Sequence, residues 1–434
     1  ISKNSYILDL FQNMCSLCLP HEVWTFVFRL LPLSDRLRVR ASCKYFRHLV
    51  DNALWRDWTL ELRTRSVGDD EYDEEGFWSM VRCWRVTSAR VTSPNSLRLT
   101  RVVKELPGVT TLVKNIGVMT IQDLKHFTSL KRLDLTSSSD LCLKDFTLFL
   151  PQCLTHLRVC QFSYNTPELP LELPFTKLKS LVFHSAFDSH PVTVLHFFLS
   201  SLPQLQHLSL RIYTDNFFEG NVSDLTPLHN CPLSSLELLD CYTNKLPLEL
   251  MKMLSTLPFL RSLAIVCLCT GDVDVDDDTS HKLSTWLRDL PALTSLLVTC
   301  LDIGGFVRSI PCSVTRLILV PLEVNPWTEI MSALSTQLPN LHHLHLQPHD
   351  ALGSDTALIP RFFPKLKTLR LSHKKVPEDA FLSLASLKEL EVLETLDEEP
   401  LPAALISKLR ELTKNRVQIC SSSENVAVLT CWCK

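Results

Sequence analysis

The sequence predicts an α/β chain: short N-terminal helices followed by a long solenoid, or horseshoe, of irregular leucine-rich repeats. Three observations carry this. A leucine-spaced phrase recurs over most of the 434 residues, Leu-Pro pairs punctuate the returns between copies, and a segment of helical periodicity precedes the first clear copy. The phrase runs from Leu130-x-x-Leu133-x-Leu135 through Leu178-x-x-Leu181-x-Phe183, Leu233-x-x-Leu236-x-Leu238, Leu293-x-x-Leu296-x-Val298 and Leu341-x-x-Leu344-x-Leu346. It ends at Leu366-x-x-Leu369-x-Leu371 and Leu387-x-x-Leu390-x-Val392. Its starts lie roughly 21 to 33 residues apart, which brackets the leucine-rich period. One copy cannot bury its apolar edge alone, so the copies must stack, and the stack presents one extended binding face.

The returns between copies read as helices. Leu250, Met253, Leu254 and Leu257 show helical spacing, as do Ile330, Met331, Leu334 and Leu338. Leu283, Trp286, Leu287 and Leu290 do the same, with Thr279 and Ser280 placed to cap them. Leu202-Pro203, Leu257-Pro258, Leu290-Pro291 and Leu338-Pro339 end such helices, because the residue before Pro avoids the α region. The consensus polar position carries Asn or Cys convincingly only at Cys241, so the repeats are irregular. Val86 to Val91 reads as a strand of a degenerate opening repeat, and Leu106 to Val113 as another imperfect copy.

Composition narrows the function classes. A net charge of −3 argues against a general polyanion binder, so no nucleic-acid partner is expected. No run of eighteen apolar residues exists, so no membrane span is expected. Sixteen cysteines are scattered singly, among them Cys43, Cys83, Cys142, Cys231 and Cys300. That dispersion fits reduced, buried thiols in a cytoplasmic or nuclear setting better than a disulfide framework. The chain opens on Ile1 without a basic-then-apolar secretory pattern, and whether residues precede it stays open.

Ahead of the repeats, Pro20 suits the first turn of a helix whose apolar set is Val23, Phe26, Val27, Leu30 and Leu31. Pro32 breaks it, and Ser34 and Asp35 can cap the next, which carries Leu37, Val39, Cys43 and Phe46. A third short helix would carry Leu54 and Trp55. Apolar residues occupy more than one face of these helices. They either pack onto the first repeats as a cap or present a patch to another protein.

This segment resembles the F-box. The resemblance rests on Leu19-Pro20-x-Glu22-Val23, Leu31-Pro32-Leu33-Ser34-Asp35-Arg36-Leu37, Cys43-Lys44-Tyr45-Phe46-Arg47-x-Leu49-Val50 and Leu54-Trp55-Arg56, with Phe46 where Trp is more usual. With the repeats behind it, the chain is similar to the F-box/leucine-rich-repeat substrate receptors of SCF ubiquitin ligases. The resemblance implies that Leu19, Pro20, Val23, Val27, Leu31, Pro32, Leu37, Cys43, Leu54 and Trp55 meet a Skp-type adaptor, and through it cullin and RING subunits. The expected organisation is a lead-in at 1–18, the F-box at 19–58, a linker and degenerate opening repeat at 59–105, the solenoid at 106–420 and a loose tail at 421–434.

No catalytic constellation emerges. Cys15-x-x-Cys18-x-x-His21 lacks a fourth ligand and a second paired element. Asp272-x-Asp274-x-Asp276 resembles a calcium loop, but Asp277 stands where Gly is needed and Leu283 where Glu should close it. His342, His343, His345 and His349 form the richest histidine group; contact residues explain them better than a metal does. Cys431-Trp432-Cys433-Lys434 is a poor prenylation signal. A non-catalytic protein with no metal and no cofactor is expected.

Strand alternation turns the leucines inward and the residues beside the middle leucine toward the binding face. That face is expected to carry Arg132, Asp134, His156, Arg158, His184, His207 and Arg211 early. Leu239, Ala264, Val266, Leu297, Ile318 and Val320 follow, then Arg316, His343, His345 and Arg370, and last Glu389 and Glu391. Arg158, His207, Arg211, Val266, Leu297, Ile318, Val320, His343, His345 and Arg370 are the candidate target contacts. They fit a protein substrate with an apolar anchor flanked by acidic or phosphorylated residues. The plainer alternative is an ordinary solenoid scatter whose apolar part the C-terminal tail covers. Rival functions are an interaction scaffold or an all-repeat enzyme inhibitor, neither coupled to ubiquitylation.

Overall fold

In the computed structural model, the described residues are 20–421 except 32, 52–58, 63–73, 84–85, 92–95, 117–120, 138–147, 149, 162–172, 174, 185–190, 212–228, 242–252, 268–286, 289, 291, 300–306, 321–325, 348–351 and 398. The chain divides into two compact units, one of residues 1–139 with 148–154, the other of 140–147 with 155–434.

The first unit begins with α1 (His21–Arg29), α2 (Leu33–Ser42) and α3 (Lys44–Leu49). Pro20 stands before α1 with ψ of 150°, in the extended region where its missing N–H costs no helical bond. Trp24, Phe28 and Phe46 stack against one another with centroids 4.9 to 5.4 Å apart. Around them Val39, Leu49 and Val50 are buried. Edge-on aromatic pairs add about 0.5–1.5 kcal/mol each to plain burial, so three short helices hold a small core of their own. The carbonyls that α1 leaves unpaired at its end are also covered. The Arg36 guanidinium donates to the Leu31 carbonyl at 2.8 Å and the Arg29 carbonyl at 2.7 Å. Arg40 grips Asp51 at 2.7 and 3.3 Å. The expected helix around Leu54 and Trp55 lies outside the described residues.

Four parallel strands complete this unit: β1 (Thr59–Leu62), β2 (Ser88–Val91), β3 (Thr111–Ile116) and β4 (Arg132–Ser137). They pair in that order, with Thr59, Ser88, Thr111 and Arg132 in register. Two helices, α4 (Glu74–Cys83) and α5 (Ser96–Glu105), return between them. Arg82 links these helices, donating to Glu105 at 2.7 Å and Glu75 at 2.8 Å. Strand β1 had no signal in the leucine phrase. Only Leu60 and Leu62 of that phrase survive there.

The second unit is a run of parallel strands: β5 (His156–Gln161), β6 (Ser180–His184), β7 (His207–Arg211), β8 (Ser235–Cys241), β9 (Ser262–Cys267) and β10 (Ser295–Thr299). It continues with β11 (Arg316–Val320), β12 (His343–Leu346), β13 (Thr368–Leu371), β14 (Val392–Thr395) and β15 (Gln418–Ser421). Each pairs with the next. Leu181, Leu208, Leu236, Leu263, Leu296, Leu317, Leu344 and Leu369 form one rung each of a buried ladder. A fully buried leucine stabilises by about 1.5–3 kcal/mol, so this ladder is the main cohesive element of the unit. Helices α6 (Pro191–Ser201), α7 (Trp327–Gln337), α8 (Ile359–Phe362), α9 (Glu378–Leu382) and α10 (Ala403–Leu412) form returns between strands.

A turn precedes several of the strands and explains the recurring Leu-Pro pairs. The Leu205 amide donates to the Leu202 carbonyl at 3.1 Å, Leu293 to Leu290 at 3.1 Å and Leu341 to Leu338 at 3.2 Å. Pro fits the second position of such a turn. The same turn corrects the last phrase. Leu390 donates to the Leu387 carbonyl at 3.4 Å, so Leu387 is a turn residue. The strand phrase there is Leu390-x-x-Leu393-x-Thr395, and Leu393 pairs with Leu369. Glu389 and Glu391, expected on the binding face, stand exposed before the strand instead; Glu394 takes the face position. Thr395 sits where an apolar residue belongs, and that hid the true phase.

Candidate protein-docking faces

Helix α1 has two apolar faces. Trp24 and Phe28, four residues apart, point into the aromatic core. Val23, Phe26, Val27 and Leu30 recur at the same helical spacing on the other side and are 40, 64, 37 and 72% exposed. Leu37 on α2 (36%) and Tyr45 on α3 (49%) are open as well. An apolar stripe left uncovered on so small a helical unit is expensive in water. Glu22 and Arg29 flank the stripe at the two ends of α1.

A second face lies on the β5–β15 sheet, opposite the leucine ladder. Its central positions, in strand order from β6, are Val182, Ser209, Glu237, Ala264, Leu297, Ile318, His345, Arg370 and Glu394. Ala264, Leu297 and Ile318 form a cluster that is fully buried, with Val266 packed against it. The expectation of an open apolar anchor at Leu297 and Ile318 is therefore corrected: neither is accessible in this conformation. Val320 is half-buried. Arg158 is exposed, and His207 and Arg211 are half-buried.

The polar groups on this face form two clusters. His184 Nε2 lies 2.9 Å from Ser209 Oγ and its Nδ1 3.7 Å from Cys160 Sγ. Burial, helped by the Arg211 and Arg158 charges, pushes His184 down to about 4. Burial also lowers His207, with His156 adding to it, and raises Glu237 against its bond from Ser209. At the other cluster burial pushes His343 down to about 4 and His345 to about 3, with Arg370 and Arg316 adding to both. Arg370 is 7% exposed and already committed: it donates to Glu394 at 2.7 Å. The sequence reading missed Glu394 because of the shifted last phrase. Burial thus disfavours the charged form of each of these histidines.

Among the described residues no group of three His, Cys, Asp or Glu side chains converges as a metal site requires. A void of about 20 Å³ among Leu157, Phe175, Phe183 and Phe198 lies in the leucine layer, far below the volume of a substrate pocket.

The N-terminal helices match a known pattern: residues 16–61 fit the F-box-like family model. The chain carries an F-box-like domain. Its match spans α1 to α3 and extends into β1, so the F-box-like segment ends within the first strand of the sheet. Of the residues that the resemblance placed at an adaptor, Pro20, Val23, Val27 and Leu37 are exposed and Leu31 is half-buried. Cys43 is half-buried between α2 and α3, where its Sγ accepts the Phe46 amide at 3.4 Å. Leu19, Pro32, Leu54 and Trp55 lie outside the described residues. Phe26 and Leu30 are open on the same stripe and were not assigned to it, although their spacing from Val23 was a sufficient signal. No curated protein matches the chain. Among solved structures it is similar to an internalin of Listeria monocytogenes, at 14% identity over 78% of this chain and 82% of that one, with a TM-score of 0.33. It is also similar to the yeast Rad7 and Elc1 complex, at 18% identity over 76% and 84%, with a TM-score of 0.43. Neither assigns a partner to this chain.

Proposed function

We propose that the protein is the substrate-recognition subunit of an SCF-type ubiquitin ligase. The F-box-like helices dock on a Skp-type adaptor, which brings cullin and RING subunits, and the outer face of the β5–β15 sheet holds a protein target. The observation that carries the reading is the open stripe Val23, Phe26, Val27, Leu30 and Leu37 inside the F-box-like match. The chain supplies proximity rather than chemistry: holding a target near a charged conjugating enzyme raises the effective concentration of its lysines. A non-catalytic role follows, and a cytoplasmic or nuclear site where that machinery operates. No described helix is long and apolar enough to cross a membrane.

The double variant Val23→Asp with Leu37→Asp tests this. Both side chains are surface groups, so folding stability should change by no more than about 0.5 kcal/mol per site. Co-purification of the adaptor with the full chain should be lost. Retained adaptor binding by a folded variant overturns the reading. Adaptor binding without cullin in the same pull-down would instead make the protein a scaffold.

A further inference from the structure

On the first strands of the second unit, a thiol, an imidazole, a hydroxyl and a carboxyl are joined in a chain of hydrogen bonds. Cys160 on β5 and His184 on β6 are direct cross-strand partners, and the Cys160 Sγ lies 3.7 Å from His184 Nδ1. On the other side of the ring, His184 Nε2 lies 2.9 Å from Ser209 Oγ, and Ser209 in turn bonds Glu237. An ionised carboxylate can only accept, so Ser209 gives Glu237 its O–H and takes the His184 Nε2–H on its oxygen. That direction fixes the tautomer, and His184 turns an unprotonated Nδ1 toward the thiol. Ser209 is completely buried and anchors the ring, whereas Cys160 is only half-buried and can be reached from solvent.

A thiol attacks as its thiolate, so a proton acceptor within hydrogen-bond reach speeds the attack. The surrounding charge selects the reagent. Arg158 precedes Cys160 by two residues on β5, hence on the same side of the sheet, and is exposed. Arg211, which follows the Leu210 paired with Phe183, adds a second cation beside His184. Against them stands Glu237, whose charged form burial disfavours. We propose that Cys160 is a site of reversible mixed-disulfide formation with a small disulfide that carries carboxylates. The Sγ attacks one sulfur of the reagent, and the new S–S bond forms as the old one breaks, its electron pair leaving with the departing sulfur. The thiol proton passes to His184 Nδ1 and then to the departing thiolate. Burial disfavours a lasting imidazolium, so His184 holds that proton only in passing. Cys160 is oxidised, the reagent is reduced to a thiol, and an incoming thiol reverses the step. Arg158 and Arg211 receive the carboxylates. This chemistry does not depend on the ligase reading.

Oxidised glutathione added to the reduced full chain is the probe, with peptide-resolved mass spectrometry following each thiol over time. Cys312 is exposed and serves as the reference. Cys160 should form its mixed disulfide at least about tenfold faster than Cys312, a modest gain for a placed base. Accessibility alone gives the opposite order. In His184→Gln the side chain can still bond Ser209 but cannot take the proton, so the advantage over Cys312 should vanish. Neutral bis(hydroxyethyl) disulfide should show a smaller advantage than oxidised glutathione, and Arg158→Gln, at an exposed position, should narrow that difference. Three results overturn the proposal: Cys160 no faster than Cys312, an undiminished advantage in folded His184→Gln, or no preference for the anionic disulfide. If His184→Gln fails to fold, the comparison of the two cysteines in the unaltered chain decides.

Discussion

On α1, Val23 and Trp24 are adjacent in sequence, but one is 40% exposed and the other 3%. A rotation of about 100° per residue puts them on different faces, and the aromatic core selects which face is covered. The covered side can be tested by Phe28→Ala. Phe28 is fully buried between Trp24 and Phe46, so the substitution should cost about 3–5 kcal/mol, read as a lowered denaturant midpoint for the first unit. Helical spacing alone exposed the apolar set of α1 but not its direction. Val23, Phe26, Val27 and Leu30 form as good a stripe in the sequence as Trp24 and Phe28, and only packing shows that the larger aromatics face inward. Arg370 makes the same point on the sheet. Its position beside a middle leucine was legible, whereas its bond to Glu394 required the correct phase of another strand.

Among the elements, β14 shows where a pattern misleads. Leu387, Leu390 and Leu393 lie three residues apart, and two overlapping phrases can be drawn through them. The turn bond from Leu390 to Leu387 and the pairing of Leu393 with Leu369 choose the second. Leu393→Ala should therefore lower stability by about 2–5 kcal/mol. Glu389→Ala, an exposed turn position, should stay within about 0.5 kcal/mol. Thermal unfolding of both variants checks the register, and equal effects would contradict it. Strand β1 was illegible for a different reason. It is four residues long, Thr59–Leu62, and has too few apolar positions to show a period; it pairs with β2 because the neighbouring strand's backbone offers it hydrogen bonds.

At the scale of the whole chain, three histidines of the second unit, His345 buried and His184 and His343 half-buried, tie its stability to pH. His184 and His343 are pushed to about 4 and His345 to about 3 from an ordinary 6.5. The unfolded chain therefore takes up protons first on acidification. The stability these groups contribute is complete above about 6.5 and is lost as pH falls toward 4. The urea midpoint of the second unit should drop between pH 7 and pH 5, and His345→Leu should make that drop shallower. A midpoint independent of pH across this window would contradict the burial of these rings.

The sequence by itself determined the repeated strand, its leucine ladder and the F-box-like helices, because spacing of apolar side chains is a local, periodic property that folding only amplifies. Tertiary structure alone decided three other matters: which stripe of α1 stays open, that Leu297 and Ile318 are closed off, and that Arg370 answers to Glu394. Each depends on which surface another part of the chain has covered, and burial is a relation between distant segments that no spacing rule encodes.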